Sequence, residues 1–138
     1  MKNKIIVSVI VNSTLEKVWD AWTLEENVKI WNVPFPDWHC PFVENNVVTG
    51  GKFHFRMENL NGTEGFDYKG EYTQVIPYSK IITLQEDKRI STITFEESQG
   101  KVFLTEEFEP EEKTDLNLQR EFCQSVLERF KSFVEKSN

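Results

Sequence analysis

The last two dozen residues constrain the fold most. Between Asp115 and Asn138 the apolar side chains are Leu116, Leu118, Phe122, Cys123, Val126, Leu127, Phe130, Phe133 and Val134. At about 100° per residue they take roughly half of a helical wheel, and Glu121, Gln124, Glu128, Lys131, Ser132 and Glu135 take the other half. No Gly or Pro interrupts the run. The segment reads as one long amphipathic helix whose apolar face is too wide and too aromatic for water. Core packing alone accounts for such a face; so does a helix lying across a curved sheet and closing a ligand cavity. In both cases the upstream residues must supply the surface that covers it.

That surface is read in order. Ile5 to Val11 is a nearly continuous β-branched run, a strand covered on both faces or placed at a sheet end. Asn12-Ser13-Thr14 offers caps, and Ser13 with Glu16 makes a capping-box pattern. The helix that follows carries Leu15, Val18, Trp19 and Trp22, with both tryptophans assigned to core packing. A second short helical piece, about Leu24 to Ile30, ends in Trp31. Asn32 to Pro41 is an irregular connector with three prolines and Phe35, Trp38, His39 and Cys40. A loop so rich in rings either plugs one end of the core or forms the lip of a pocket.

From Phe42 the pattern turns to period two. Phe42 to Val48 reads as a strand, broken at Gly50-Gly51. Phe53, Phe55 and Met57 alternate with Lys52, His54 and Arg56. Asn61 to Gly65 is a hairpin turn. Phe66, Tyr68, Gly70 and Tyr72 share one face of the next strand. Pro77-Tyr78-Ser79 turns, Ile82 and Leu84 face inward, and Glu86 to Arg89 turns again. Ile93 and Phe95 mark another inward face. Ser98-Gln99-Gly100 turns, and Val102, Leu104 and Phe108 mark the last strand. The order is β-α-α-β6-α: an α+β chain, one domain over 1–138. Short connections make the six strands an antiparallel meander, which curves where Gly50, Gly51 and Gly70 let it bend. A curved sheet around one long C-terminal helix leaves a wedge of space between them.

Composition narrows the function. A net charge of −7 and a pI near 4.9 argue against nucleic acid and anionic membrane surfaces. No stretch spans a membrane, the polar-flanked N-terminus does not fit a signal peptide, and Cys40 and Cys123 lie far apart in sequence. A cytoplasmic protein with free thiols is expected. Eleven Phe and four Trp are many for 138 residues, and rings of that size fill wide interiors or line apolar pockets.

Candidate chemistry is sparse. His39 and Cys40 adjoin, but no further ligands converge on them, so no metal and no cofactor is expected. Cys123 lacks a visible base and reads as a small apolar residue. Period two from Val102 and Leu104 turns Glu106 inward, where a carboxylate can anchor a polar ligand group or act as an acid-base residue. A bulge near Phe108 would instead shift the register and leave Glu106 in water, and this second placement is the one expected. Tyr68 and Tyr72 offer hydroxyls on apolar bodies. No catalytic set is recognisable. The ligand-lining set is Trp31, Phe35, Trp38, Phe53, Phe55, Phe66, Tyr68, Tyr72, Phe95, Phe122 and Cys123, with Glu106 and Val126 beside them.

The residues also carry a resemblance. They are Val18-Trp19-Asp20-Ala21-Trp22, Trp31, Gly50-Gly51-Lys52-Phe53, Gly70-Glu71-Tyr72 with Ile76-Pro77, and Gln124 to Phe130. In this order they resemble the activator of Hsp90 ATPase homologue 1-like family of the START-like superfamily, also called SRPBCC or the Bet v 1-like helix-grip fold. One departure falls at Phe122-Cys123, where the family commonly has Gly-Trp facing the cavity. The resemblance implies a cavity for an apolar or amphipathic small molecule, lipid-like or polyketide-like, in a stress-related binding protein acting as monomer or homodimer. It also implies two alternatives: an ATPase activator that contacts an Hsp90 homologue, or a small cyclase or hydrolase using a cavity Tyr or Glu. The Hsp90 activator carries an additional N-terminal domain that this chain is expected to lack, which weakens the first alternative.

Overall fold

The computed structural model describes residues 4–137. Its elements are β1 (Ile5–Val11), α1 (Leu15–Thr23), α2 (Glu25–Trp31), β2 (Trp38–Asn45), β3 (Lys52–Asn59), β4 (Gly65–Ile76), β5 (Lys80–Gln85), β6 (Ile90–Ser98), β7 (Lys101–Phe108) and α3 (Leu116–Lys136). The strands form one curled antiparallel sheet in the order β1-β7-β6-β5-β4-β3-β2. β2 to β7 are a meander, and β1 returns beside β7, so the first and last strands in the chain are neighbours. β1 lies at the sheet end, with Ile5, Val7, Val9 and Val11 buried and the intervening residues exposed. α3 packs along β1 and against both short helices.

Local chemistry sets the element ends. The Asp115 carboxylate accepts the Leu118 N–H at 3.1 Å and caps α3. α1 is capped by Thr14, which accepts from Lys17 N at 3.2 Å; the expected Ser13 cap is displaced by one residue, and Ser13 is buried instead. Gln99 and Gly100 both take positive φ, the geometry of a tight two-residue hairpin.

Two strand assignments are corrected. β2 starts at Trp38 and ends at Asn45, where Phe42 to Val48 was expected. Trp38 and His39 pair with Asn59 and Glu58 before the register slips between His39 and Phe42. The slip carries Pro41, which has no N–H for the ladder. In β5 the buried side chains are Ile81 and Thr83, where Ile82 and Leu84 were expected to face inward. The sequence Ile81-Ile82 fits either phase, and a bulge between Tyr72 and Gln74 in β4 sets Val75 against Ile81 and so fixes the other one. At Gly70 a Cβ would lie 2.5 Å from Leu84 O and 2.8 Å from the Phe53 ring, so only glycine permits this close approach.

The core fills one end of the grip. Phe130 is fully buried, 5.0 Å from the Trp22 ring and 4.9 Å from the Trp31 ring. Trp22 and Trp31 stack at 4.8 Å, and Trp19 meets Phe95 at 5.1 Å. Trp31 Nε1 donates to Ala21 O at 2.8 Å, which satisfies the one polar atom of a buried ring. Leu127, Phe130 and Val134 are the buried residues of α3. Its first two turns, with Leu116, Leu118 and Phe122, remain exposed, so the helix seals one end of the sheet only.

Candidate functional site

β7 builds the inner wall. Its ladders to β1 and β6 run without a bulge, pairing Glu106 with Val7 on one side and Ile93 on the other. Glu106 therefore shares the concave face with Leu104 and Phe108. The water-facing placement is overturned, because the register that would have produced it does not slip. Val7, Ile93, Leu104 and Phe108 around Glu106 are closed to solvent, yet Glu106 itself is only half-buried. It stands two residues before the end of β7 and keeps a share of solvent exposure that its inward-facing neighbours lack.

The same half-burial marks Tyr68 on β4 and Cys123 and Val126 on α3, all packed against the core. Burial raises the Glu106 carboxyl to about 7. The Tyr68 phenol is pushed above its ordinary range by burial and then by the Glu106 charge. The Cys123 thiol is pushed up to about 12, again by burial first and Glu106 second. One carboxylate thus acts on groups from both β4 and α3, which sets the three within electrostatic range of one another. Among the described residues, neither the Glu106 carboxyl nor the Tyr68 hydroxyl makes a hydrogen bond or ion pair. Thr83 and Ser91, paired on β5 and β6, add two buried hydroxyl side chains to the inner face.

The open end is ringed by aromatics. Phe122 lies 6.0 Å from Phe35, Phe35 lies 6.0 Å from Trp38, and Trp38 lies 5.8 Å from Phe66. Phe35, Phe66 and Phe122 are 50%, 40% and 38% exposed. Phe35 of the ring-rich connector thus joins the exposed rings of α3 and β4 in one aromatic row. Arg129 ties the connector to α3, donating through Nε to Val33 O at 3.0 Å and through Nη2 to Pro34 O at 2.7 Å. Arg89, in the β5–β6 turn, donates to Asp87 at 2.7 Å and Gln85 at 3.2 Å.

The sequence-expected residues divide accordingly. Phe35, Trp38, Phe66 and Phe122 form one row of ring contacts, and Tyr68, Glu106, Cys123 and Val126 are half-buried. Trp31 and Phe95 belong to the aromatic cluster that closes the far end. Phe53, Phe55 and Tyr72 are closed floor residues: the first two back the Tyr68 ring at 4.9 and 6.1 Å, and the Tyr72 hydroxyl donates to Asn45 Oδ1. Sequence reasoning missed Arg129, Thr83 and Ser91. Arg129 had a signal: it stands seven residues after Phe122 and so on the same stripe of the helix.

The outer face is different in kind. His54 meets Asp67 at 2.8 Å, and Arg56 bridges Asp67 at 3.1 Å and Glu58 at 3.0 Å. The His54 hydrogen bond, then Arg56, hold Asp67 below its ordinary value. Such exposed pairs contribute little. A shallow depression beside them, with Glu44, Lys52, Lys69 and Glu86 in its lining, mixes both charge signs. His39 is exposed 3.8 Å from Glu58, whereas Cys40 is buried, so the two point to opposite faces. Among the described residues no group of three or more His, Cys, Asp or Glu side chains gathers at metal-binding range. Cys40 and Cys123 are unpaired. No described helix is long and apolar enough to cross a membrane.

Residues 12–135 match the model of the family described as activator of Hsp90 ATPase homolog 1-like protein. Two solved structures are similar over nearly the whole length. One is an AHSA1-like protein from Aeromonas hydrophila, 28% identical, covering 98% of this chain and 94% of that one at a TM-score of 0.93. The other is a protein from Cytophaga hutchinsonii, 34% identical, covering 97% and 93% at 0.84. A third, from Chromobacterium violaceum, shares the fold at 18% identity, with 96% and 98% covered and a TM-score of 0.84. No curated protein matches significantly.

Proposed function

The chain belongs to the activator of Hsp90 ATPase homolog 1-like family, and from that premise we propose that it is a cytoplasmic binding protein for a hydrophobic or amphipathic small molecule. The ligand, lipid-like or polyketide-like in character, occupies the cleft between the sheet and α3. The observation that carries this reading is the half-burial of Tyr68, Glu106, Cys123 and Val126 on faces that a fully packed interior would close. The exposed rings at the lip supply apolar contact at the entrance. Native mass spectrometry of freshly purified protein, followed by titration with apolar fluorescent probes, tests it. Retained small molecules or saturable probe binding that Phe122→Ser weakens supports the reading. A protein that carries nothing and binds no probe defeats it.

Two other readings have one observation each. The inward carboxylate beside Tyr68 is where a small cyclase or hydrolase would do its chemistry; loss of turnover in Glu106→Gln with ligand binding retained would identify that case. The family's description supports contact with an Hsp90 homologue, which a pull-down and a measurement of that partner's ATP turnover test directly.

A further inference from the structure

Apolar contact explains the lip of the cleft but not its inner end. On the concave face Asn59 and Gln85 are polar but already hydrogen-bonded, whereas Glu106, Tyr68, Thr83 and Ser91 are polar without such partners. Glu106 and Ser91 are diagonal neighbours, through the Ser91–Phe108 and Ile93–Glu106 pairs. These four side chains offer one carboxylate and three hydroxyls, and none has a side-chain partner among the described residues. No Lys or His is among them. The cation that acts on Tyr68 and Cys123 is Arg89, whose Nε and Nη2 are already bonded to Asp87 and Gln85.

With no donor among the described residues, the Glu106 carboxylate has only solvent, so a ligand that expels that water must supply another donor or leave the charge costly. A purely apolar ligand would desolvate Glu106 and give nothing back. An anionic head would meet a like charge. A protonated amine answers both, pairing with the carboxylate while its remaining N–H groups reach the hydroxyls. The chain's net charge of −7 favours the approach of a cation.

Building on the ligand-site reading above, we infer that the cleft selects an apolar or aromatic molecule bearing a protonated amine, with the amine on Glu106 and the apolar body among Phe122, Phe35, Trp38 and Phe66. The Glu106 charge acts on Tyr68 from β4 and Cys123 from α3, and Arg89 from the β5–β6 turn acts on the same two groups. That phenol and that thiol are pushed above their ordinary values, so they stay neutral while Glu106 titrates. The Glu106 carboxyl ionises near 7, so amine affinity rises with pH between about 6 and 8.

The test is calorimetric titration with three matched probes: naphthylmethylamine, naphthalenemethanol and naphthoate. The expected order is amine tighter than alcohol by about tenfold, with the carboxylate weakest. In Glu106→Gln the amine preference disappears while alcohol affinity is kept, which also shows that the variant is folded. Glu106→Asp keeps the preference in weaker form, and Phe122→Ser weakens amine and alcohol together. Alcohol or naphthoate binding as well as the amine, or an amine preference that survives in Glu106→Gln, overturns the amine assignment and leaves the cleft a ligand site. Binding of none of the three overturns both.

Discussion

Glu106 makes the interior's character measurable through pH. Its carboxyl ionises near 7 in the folded protein, against an ordinary 4.5, because burial disfavours the charge. Between these values the folded state holds a proton that the unfolded state has released, so stability falls as pH rises through the window and is lowest above 7. At about 1.4 kcal/mol per pH unit the full loss is about 3 kcal/mol, trimmed by the water that reaches the cleft. Glu106→Gln keeps the shape and removes the ionisation. Urea unfolding of both proteins at pH 5 and pH 8 isolates the effect, since any fixed cost of the amide cancels in the difference. The wild type is expected to lose about 2–3 kcal/mol more than Glu106→Gln between the two pH values, or about 1–2 M in midpoint. Equal losses would place Glu106 in ordinary water and refute its position on the inner wall.

Three further outcomes follow from the packing. Phe130→Ala empties the space against the edges of the stacked Trp22 and Trp31 rings and should lower unfolding free energy by about 3–5 kcal/mol, read by urea denaturation. Arg129→Met keeps the aliphatic stem but drops the bonds to Val33 O and Pro34 O. It should lower stability by about 1.5–3 kcal/mol and speed amide exchange in the connector between α2 and β2. Gly70→Ala drives a methyl against Leu84 O and the Phe53 ring, and a loss of about 1–3 kcal/mol in the same denaturation assay is expected.

Periodicity carried the architecture. The heptad-like spacing of Leu127, Phe130 and Val134 and the alternation of Phe53, Phe55 and Met57 each have a single burial phase that pays, so the long helix and the meander were legible. Phase failed where two neighbouring residues were equally good candidates. Ile81-Ile82 is such a place, and the deciding bulge at Tyr72–Gln74 leaves no mark in composition. Glu106 failed for the opposite reason: the alternation pointed inward, but an unpaired carboxylate in a core is costly enough that a bulge was the expected escape. The escape did not occur: β7 pairs with β1 and β6 without a slip, and Glu106 keeps part of its exposure on the inner face. The lip was half legible. Its rings were visible, but the hold of Arg129 on Val33 and Pro34 spans 95 and 96 residues of sequence and needs the folded chain to appear.

The account stands on unfilled room beneath the first turns of α3, and Cys123→Phe probes it most directly. If the room exists, the larger ring enters it: urea stability stays at or above the wild-type value, and apolar probes lose their site. If the interior there is already packed, the added atoms cost about 1–3 kcal/mol or more, and that loss of stability would contradict the account.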